Sequence, residues 1–99
     1  MQIQIDPHTL ERAEERGTNE IEIVDVINTG FHIPAKHGRI GKAKVYDFKR
    51  KRHGKYYEQK RIEVFYIIEE NIAVTVTVHV FYGIWEEVKS EKKYIYKIK

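Results

Sequence analysis

Cysteine is absent from the 99 residues. That excludes a disulfide scaffold, a thiol nucleophile and any thiolate metal site. The only serine, Ser90, has no nucleophile-elbow context. There is no phosphate-binding loop and no dinucleotide fingerprint. Histidines 8, 32, 37, 53 and 79 show neither HExxH nor paired-ligand spacing, so no metal and no cofactor is expected. No apolar run approaches the roughly 18–20 residues of a membrane helix. The opening Met1–Asp6 has neither the basic nor the apolar region of a signal peptide. A soluble cytoplasmic protein with no membrane partner is expected.

What the chain does hold is charge, unevenly placed. Apolar residues make up 41% and charged residues 33%, a globular composition with room for one modest core. Residues 36–61 carry eleven Lys or Arg against two acids, Asp47 and Glu58, a net +9. The other residues carry seven basic and thirteen acidic side chains, a net −6. Such asymmetry suits a surface that meets phosphate or another polyanion. It also suits a hairpin whose lysines keep a sheet edge soluble.

The chain reads as a single domain over 1–99, with a core at 2–83 and a C-terminal arm at 84–99. Ile3 and Ile5 alternate with Gln2 and Gln4, a short strand. Asp6-Pro7 starts a helix that runs to Arg16, with Gly17 just past its end. Leu10 and Ala13 form its narrow apolar stripe. Thr18 or Asn19 caps a second helix, with Glu22 at capping-box spacing from Asn19. Ile21, Val24 and Ile27 form its apolar face, widened by Ile23 and Val26, and Gly30 ends it. The period then changes to two. Residues 31–34 read as a short extended piece, 35–42 as a loop, and 43–51, 57–68 and 72–82 as strands. His53-Gly54 and Glu69-Glu70-Asn71 form the turns. The β-branched run 72–82 is expected at the centre of the sheet, with Thr75, Thr77 and His79 on one face. Residues 84–92 read as a short helix or an irregular arm, and 94–98 as an edge strand. The order β-α-α-β-β-β predicts an α+β fold, a twisted antiparallel sheet with two helices packed on one face.

Two sets of residues could carry chemistry. His8, Arg12 and Arg16 repeat every four residues, one helical stripe. Two guanidiniums bind phosphate oxygens in fork geometry, and an imidazole moves protons near neutrality. Glu11, Glu14 and Glu15 are close enough to pair with the same arginines, so surface ion pairs are the competing reading. His79 and Tyr82, late in the 72–82 strand, are candidate second proton carriers. Lys49, Arg50, Lys51, Arg52, Lys60 and Arg61 are the candidate nucleic-acid-binding residues. Tyr46, Phe48, Tyr56, Tyr57, Phe65 and Tyr66 are interleaved with the basic run, a mixture that suits RNA. Trp85 reads as a core residue.

The string His8-Thr-Leu-Glu-Arg12-Ala-Glu-Glu-Arg16-Gly17, the helix ending Asn28-Thr-Gly30, and the later Lys60-Arg61-Ile-Glu-Val and Val76-Thr77-Val78 to Tyr82-Gly83 resemble a known pattern. They look like the small bacterial and archaeal proteins of domain-of-unknown-function family 4258 (DUF4258). The resemblance covers roughly residues 3–87. In that family the opening reads H-x3-R-x3-R-G. The element order is in turn similar to that of RelE/ParE-like toxins, many of which are ribonucleases held by an antitoxin. Those nucleases place key Arg, Lys, Tyr or His residues on the sheet and near the C-terminus, where this chain offers His79, Tyr82, Tyr94 and Tyr96. The resemblance implies a RelE-like fold and a toxin-like, metal-independent endoribonuclease or RNA-binding protein. In such an enzyme a ribose 2′-OH attacks the adjacent phosphodiester. His8 would be acid or base, Arg12, Arg16, Lys60 and Arg61 would hold the phosphate, and His79 or Tyr82 would carry the second proton. The implied partners are RNA, including ribosome-associated mRNA, an antitoxin protein and a second copy of the chain. The alternative is a non-catalytic binding module, or a structural protein, whose basic hairpin meets an acidic partner.

Overall fold

The computed structural model describes the backbone of residues 1–90 and 93–98, and side chains as far as Trp85. Element order is β1 (Gln2–Gln4), α1 (Pro7–Arg16), α2 (Glu20–Thr29), β2 (Phe31–Ile33), β3 (Ile40–Arg52), β4 (Lys55–Glu69), β5 (Ile72–Gly83), β6 (Trp85–Ser90) and β7 (Lys93–Ile98). The class is α+β, with two helices and a five-stranded sheet ordered β1-β5-β4-β3-β2. The chain divides into two compact units. One is Met1–Lys44 with Ile62–Val80, and the other is Val45–Arg61 with Phe81–Lys99.

In the first unit, local chemistry accounts for both helices. The Asp6 carboxylate accepts the His8 amide at 2.9 Å, and Pro7 occupies the first turn, where no donor is needed. Gly17, at φ 95°, ends α1 in the left-handed conformation that suits glycine. Asn19 rather than Thr18 is the cap of α2, accepting the Glu22 amide at 2.9 Å. Thr18 instead donates its hydroxyl to the Glu22 carboxylate at 3.0 Å. The buried side of α1 is Thr9 and Ala13, with Leu10 only half-buried. The buried side of α2 is Ile23, Val26 and Ile27. Ile21, expected on that face, is 80% exposed, because the face that packs is rotated toward Ile23. Ile62, Val64 and Tyr66 of β4 and Ala73, Thr75 and Val78 of β5 complete the core.

The sheet is mixed. β1 pairs with β5 in parallel, Gln2 opposite Ile72 and Gln4 opposite Val74. The chain between them runs through α1, α2 and strands β2 to β4, and parallel partners need such a long connection where a hairpin would not serve. β2 is antiparallel to β3, Phe31 opposite Ala43 and Ile33 opposite Gly41. His53-Gly54 and Glu70-Asn71 all have positive φ, the type I′ requirement for two-residue hairpins, so β3, β4 and β5 alternate in direction. The middle position belongs to β4. The 72–82 strand, expected there, is interior but lies next to β1.

Burial on β5 runs Ala73, Thr75 and then Val78, a one-residue slip in the alternation. Thr75 therefore faces the core, where its hydroxyl accepts the Asp6 amide at 3.0 Å. Thr77 and His79 lie on the other side, with Phe65, whose neighbours Val64 and Tyr66 are buried. The expectation that Thr75, Thr77 and His79 share a face is corrected by this slip.

In the second unit, the helix or irregular arm expected over residues 84–92 is corrected. Residues 85–90 form β6, antiparallel to β7, Trp85 opposite Ile98 and Ser90 opposite Lys93. Trp85 is buried, and its amide donates to the Gln59 side-chain oxygen at 2.8 Å. Residues 91 and 92 and the side chains of Tyr94 and Tyr96 lie outside the described residues.

Candidate nucleic-acid interface

The second unit gathers aromatic rings and cations on the hairpin that bears the positive charge. Lys49, inside β3, has φ 51°, in the left-handed region that non-glycine residues seldom adopt. Phe48, just before it, packs edge-on against Tyr82, ring centroids 5.1 Å apart at 62°. Tyr57 lies 5.3 Å from the same Tyr82 ring, tilted by 43°. Each ring also has a cation near it. Arg50 stands 4.6 Å from the Phe48 centroid and Arg52 5.1 Å from Tyr82. Lys55 Nζ lies 5.5 Å from Tyr57, and Lys60 Nζ 6.0 Å from Phe48. Each such contact draws a cation to the negative ring face. A groove lined by Lys55, Tyr56, Tyr57, Glu58, Tyr82 and Gly83 opens beside the cluster.

Not every basic residue of the 36–61 run belongs to this surface. Lys44 lies in the first unit and serves the fold. Its ammonium donates to Asp25 at 2.7 Å and to Thr29 Oγ1 at 2.8 Å, tying β3 to α2. Lys60 is only 5% exposed and sits with the rings rather than in solvent. Lys49 and Lys51 are exposed, Lys49 lying 3.9 Å from Asp47, and Arg61 is half-buried.

The helical stripe in the first unit is placed as follows. His8 is exposed on the first turn of α1. Arg12 is exposed and pairs with Glu15 at 3.2 Å. Arg16 donates from Nη1 to the Val78 carbonyl of β5. Thr9 Oγ1 makes a long 3.5 Å bond to the Val76 carbonyl. β1 covers β5 only as far as Val74, so side chains of α1 serve the next strand carbonyls.

His79 lies elsewhere in the same unit. Its ring stands 5.9 Å from Phe65, edge-on at 71°. With Phe65 and Thr77 it lines a concavity closed by Pro34, Lys36, His37 and Arg39. The loop returns there through a turn, Arg39 N donating to Lys36 O at 3.2 Å, with His37 and Gly38 at positive φ. Lys36, His37 and Arg39 are not among the sequence-predicted site residues. Their signal is a Gly-containing basic loop, and nothing in it names His79 as a neighbour. Among the described residues, no three His, Asp or Glu side chains converge as metal ligands, and no helix is long and apolar enough to cross a membrane.

Comparison with protein-family models, curated proteins and solved structures finds no match to this chain.

Proposed function

We propose that this chain binds single-stranded RNA through the Phe48, Tyr57 and Tyr82 rings and the cations around them, as a RelE-like, DUF4258-type protein of a toxin–antitoxin setting. The observation that carries the reading is one shared ring, Tyr82, contacted by Phe48, Tyr57 and Arg52 together. Base stacking on such rings contributes about 1–3 kcal/mol per base, and it requires unstacked bases. Flanking Arg and Lys neutralise the phosphates between them. Ribosome-associated mRNA and an antitoxin are the partners this setting proposes. In a binding assay with a labelled decamer, the single strand should bind and the same sequence as a duplex should bind much less. Tyr82→Ala should weaken the single strand by about 1–3 kcal/mol. Equal binding of both forms, unchanged by Tyr82→Ala, would leave only a charge-driven surface.

A second reading, metal-independent cleavage, is favoured by the concavity of the first unit, which holds two imidazoles, His37 and His79, with Lys36 and Arg39. One imidazole would accept the ribose 2′ proton as its oxygen attacks phosphorus. The other would give a proton to the departing 5′ oxygen, and the cations would stabilise the phosphorane charge. His79→Ala and His37→Ala should each lower cleavage by about 10²-fold or more while RNA binding persists, roughly the contribution of one acid or base. His8→Ala separates this version from one that draws its acid or base from α1. Turnover that survives loss of both His37 and His79 would exclude the concavity as the active centre.

A further inference from the structure

We infer that the groove beside the ring cluster is selective for an unpaired guanine, recognised by the Glu58 carboxylate; the inference rests on the RNA-binding reading above. Glu58 is one of two acids in the +9 segment. The other, Asp47, lies 3.9 Å from the Lys49 ammonium. Glu58 is held differently: its Oε1 accepts the Tyr56 hydroxyl at 3.2 Å. Desolvation first, and then the charge and hydrogen bond of Glu58, push the Tyr56 hydroxyl above its ordinary pKa. Like any tyrosine hydroxyl it is protonated at neutral pH, and it donates to the carboxylate. Tyr57 and Tyr82, in contact with each other, line the same groove as Glu58.

A carboxylate so placed works against a general polyanion site, since it repels phosphate. It gains only from a ligand that brings donors. Unpaired bases present their Watson–Crick edges to protein side chains. Guanine offers N1–H and the N2 amine side by side, two donors for two carboxylate oxygens. Adenine and cytosine each place an acceptor nitrogen beside their single amine. Uracil places its one N–H between two carbonyls. Only guanine satisfies both oxygens without setting an acceptor against them. A site built to hydrogen-bond a ligand's donors discriminates against one that cannot supply them.

The test uses the intact chain and four labelled decamers, oligo-U and oligo-U with one central G, A or C, at fixed salt. The G-containing decamer should bind about tenfold tighter than the others, the lower end of a bidentate base contact. Glu58→Gln should abolish that preference while oligo-U affinity holds or rises, because a negative charge has left a cationic groove. Oligo-U binding reports that the variant is folded. Should Glu58→Gln lose it, Tyr56→Phe serves instead: it frees the carboxylate, and the G preference should shrink at unchanged oligo-U affinity. Equal binding of all four decamers would overturn the guanine assignment and leave RNA binding standing. So would a preference that survives both variants. No binding of any decamer would overturn the RNA reading and this inference with it.

Discussion

Arg16 stands third in the His8, Arg12, Arg16 stripe, and its guanidinium is engaged by the Val78 carbonyl. Spacing alone puts the three side chains on one line. It cannot show that the line ends against a strand whose neighbour β1 stops at Val74. A backbone acceptor left unpaired and buried costs about as much as a lost hydrogen bond. Arg16→Ala should therefore destabilise the protein by about 1.5–3 kcal/mol, the range for hydrogen bonds to charged groups. Arg12→Ala removes an exposed pair with Glu15 and should cost under about 1 kcal/mol. Chemical denaturation of the two variants checks this. Equal, small losses would return Arg16 to the role of an available phosphate ligand. Glu58 shows the converse. By composition it is one acid among eleven cations, and only its partner, a tyrosine hydroxyl rather than a cation, singles it out.

The elements are legible where local chemistry decides them. The Asp6-Pro7 start, the Gly17 stop and the Asn19 cap place α1 and α2 within about a residue of their observed bounds. The His53-Gly54 and Glu70-Asn71 turns place the three long strands. What stays hidden depends on irregularity and partners. The slip between Thr75 and Val78 leaves no trace in a run that is apolar on both faces. The β6 strand forms against β7, a pairing that no local propensity announces. Gly30 reads as a helix stop, yet its φ of −71° suits any residue. The need for glycine is spatial. A Cβ there would sit 2.5 Å from the Val26 carbonyl oxygen and 2.7 Å from that of Ala43. Both contacts are backbone, so neither can swing aside. Gly30→Ala should thus cost about 1–3 kcal/mol, the range for overpacking. A melting temperature equal to the parent's would show that α2 and β3 separate more easily than this packing implies.

At the scale of the whole molecule, the charge asymmetry is plain in the amino-acid sequence, and its division of labour is not. Lys44 holds β3 to α2, Lys60 is buried with Phe48, and Arg50, Arg52 and Lys55 lie over rings. Net charge locates a polyanion surface but cannot separate residues that bind from residues that fold. The aromatic and basic mixture that alternation on a strand yields automatically becomes informative only once the rings are found in contact with one another.

The most direct test of RNA binding by the ring-and-cation cluster is the salt dependence of single-stranded RNA affinity, measured for the intact chain and for Arg50→Gln/Arg52→Gln. Binding should weaken linearly in log–log form as salt rises, and the double variant should flatten the slope by about 1.4, roughly 0.7 for each phosphate contact removed. An unchanged slope, or no single-stranded RNA binding at low salt by the intact chain, would contradict the account.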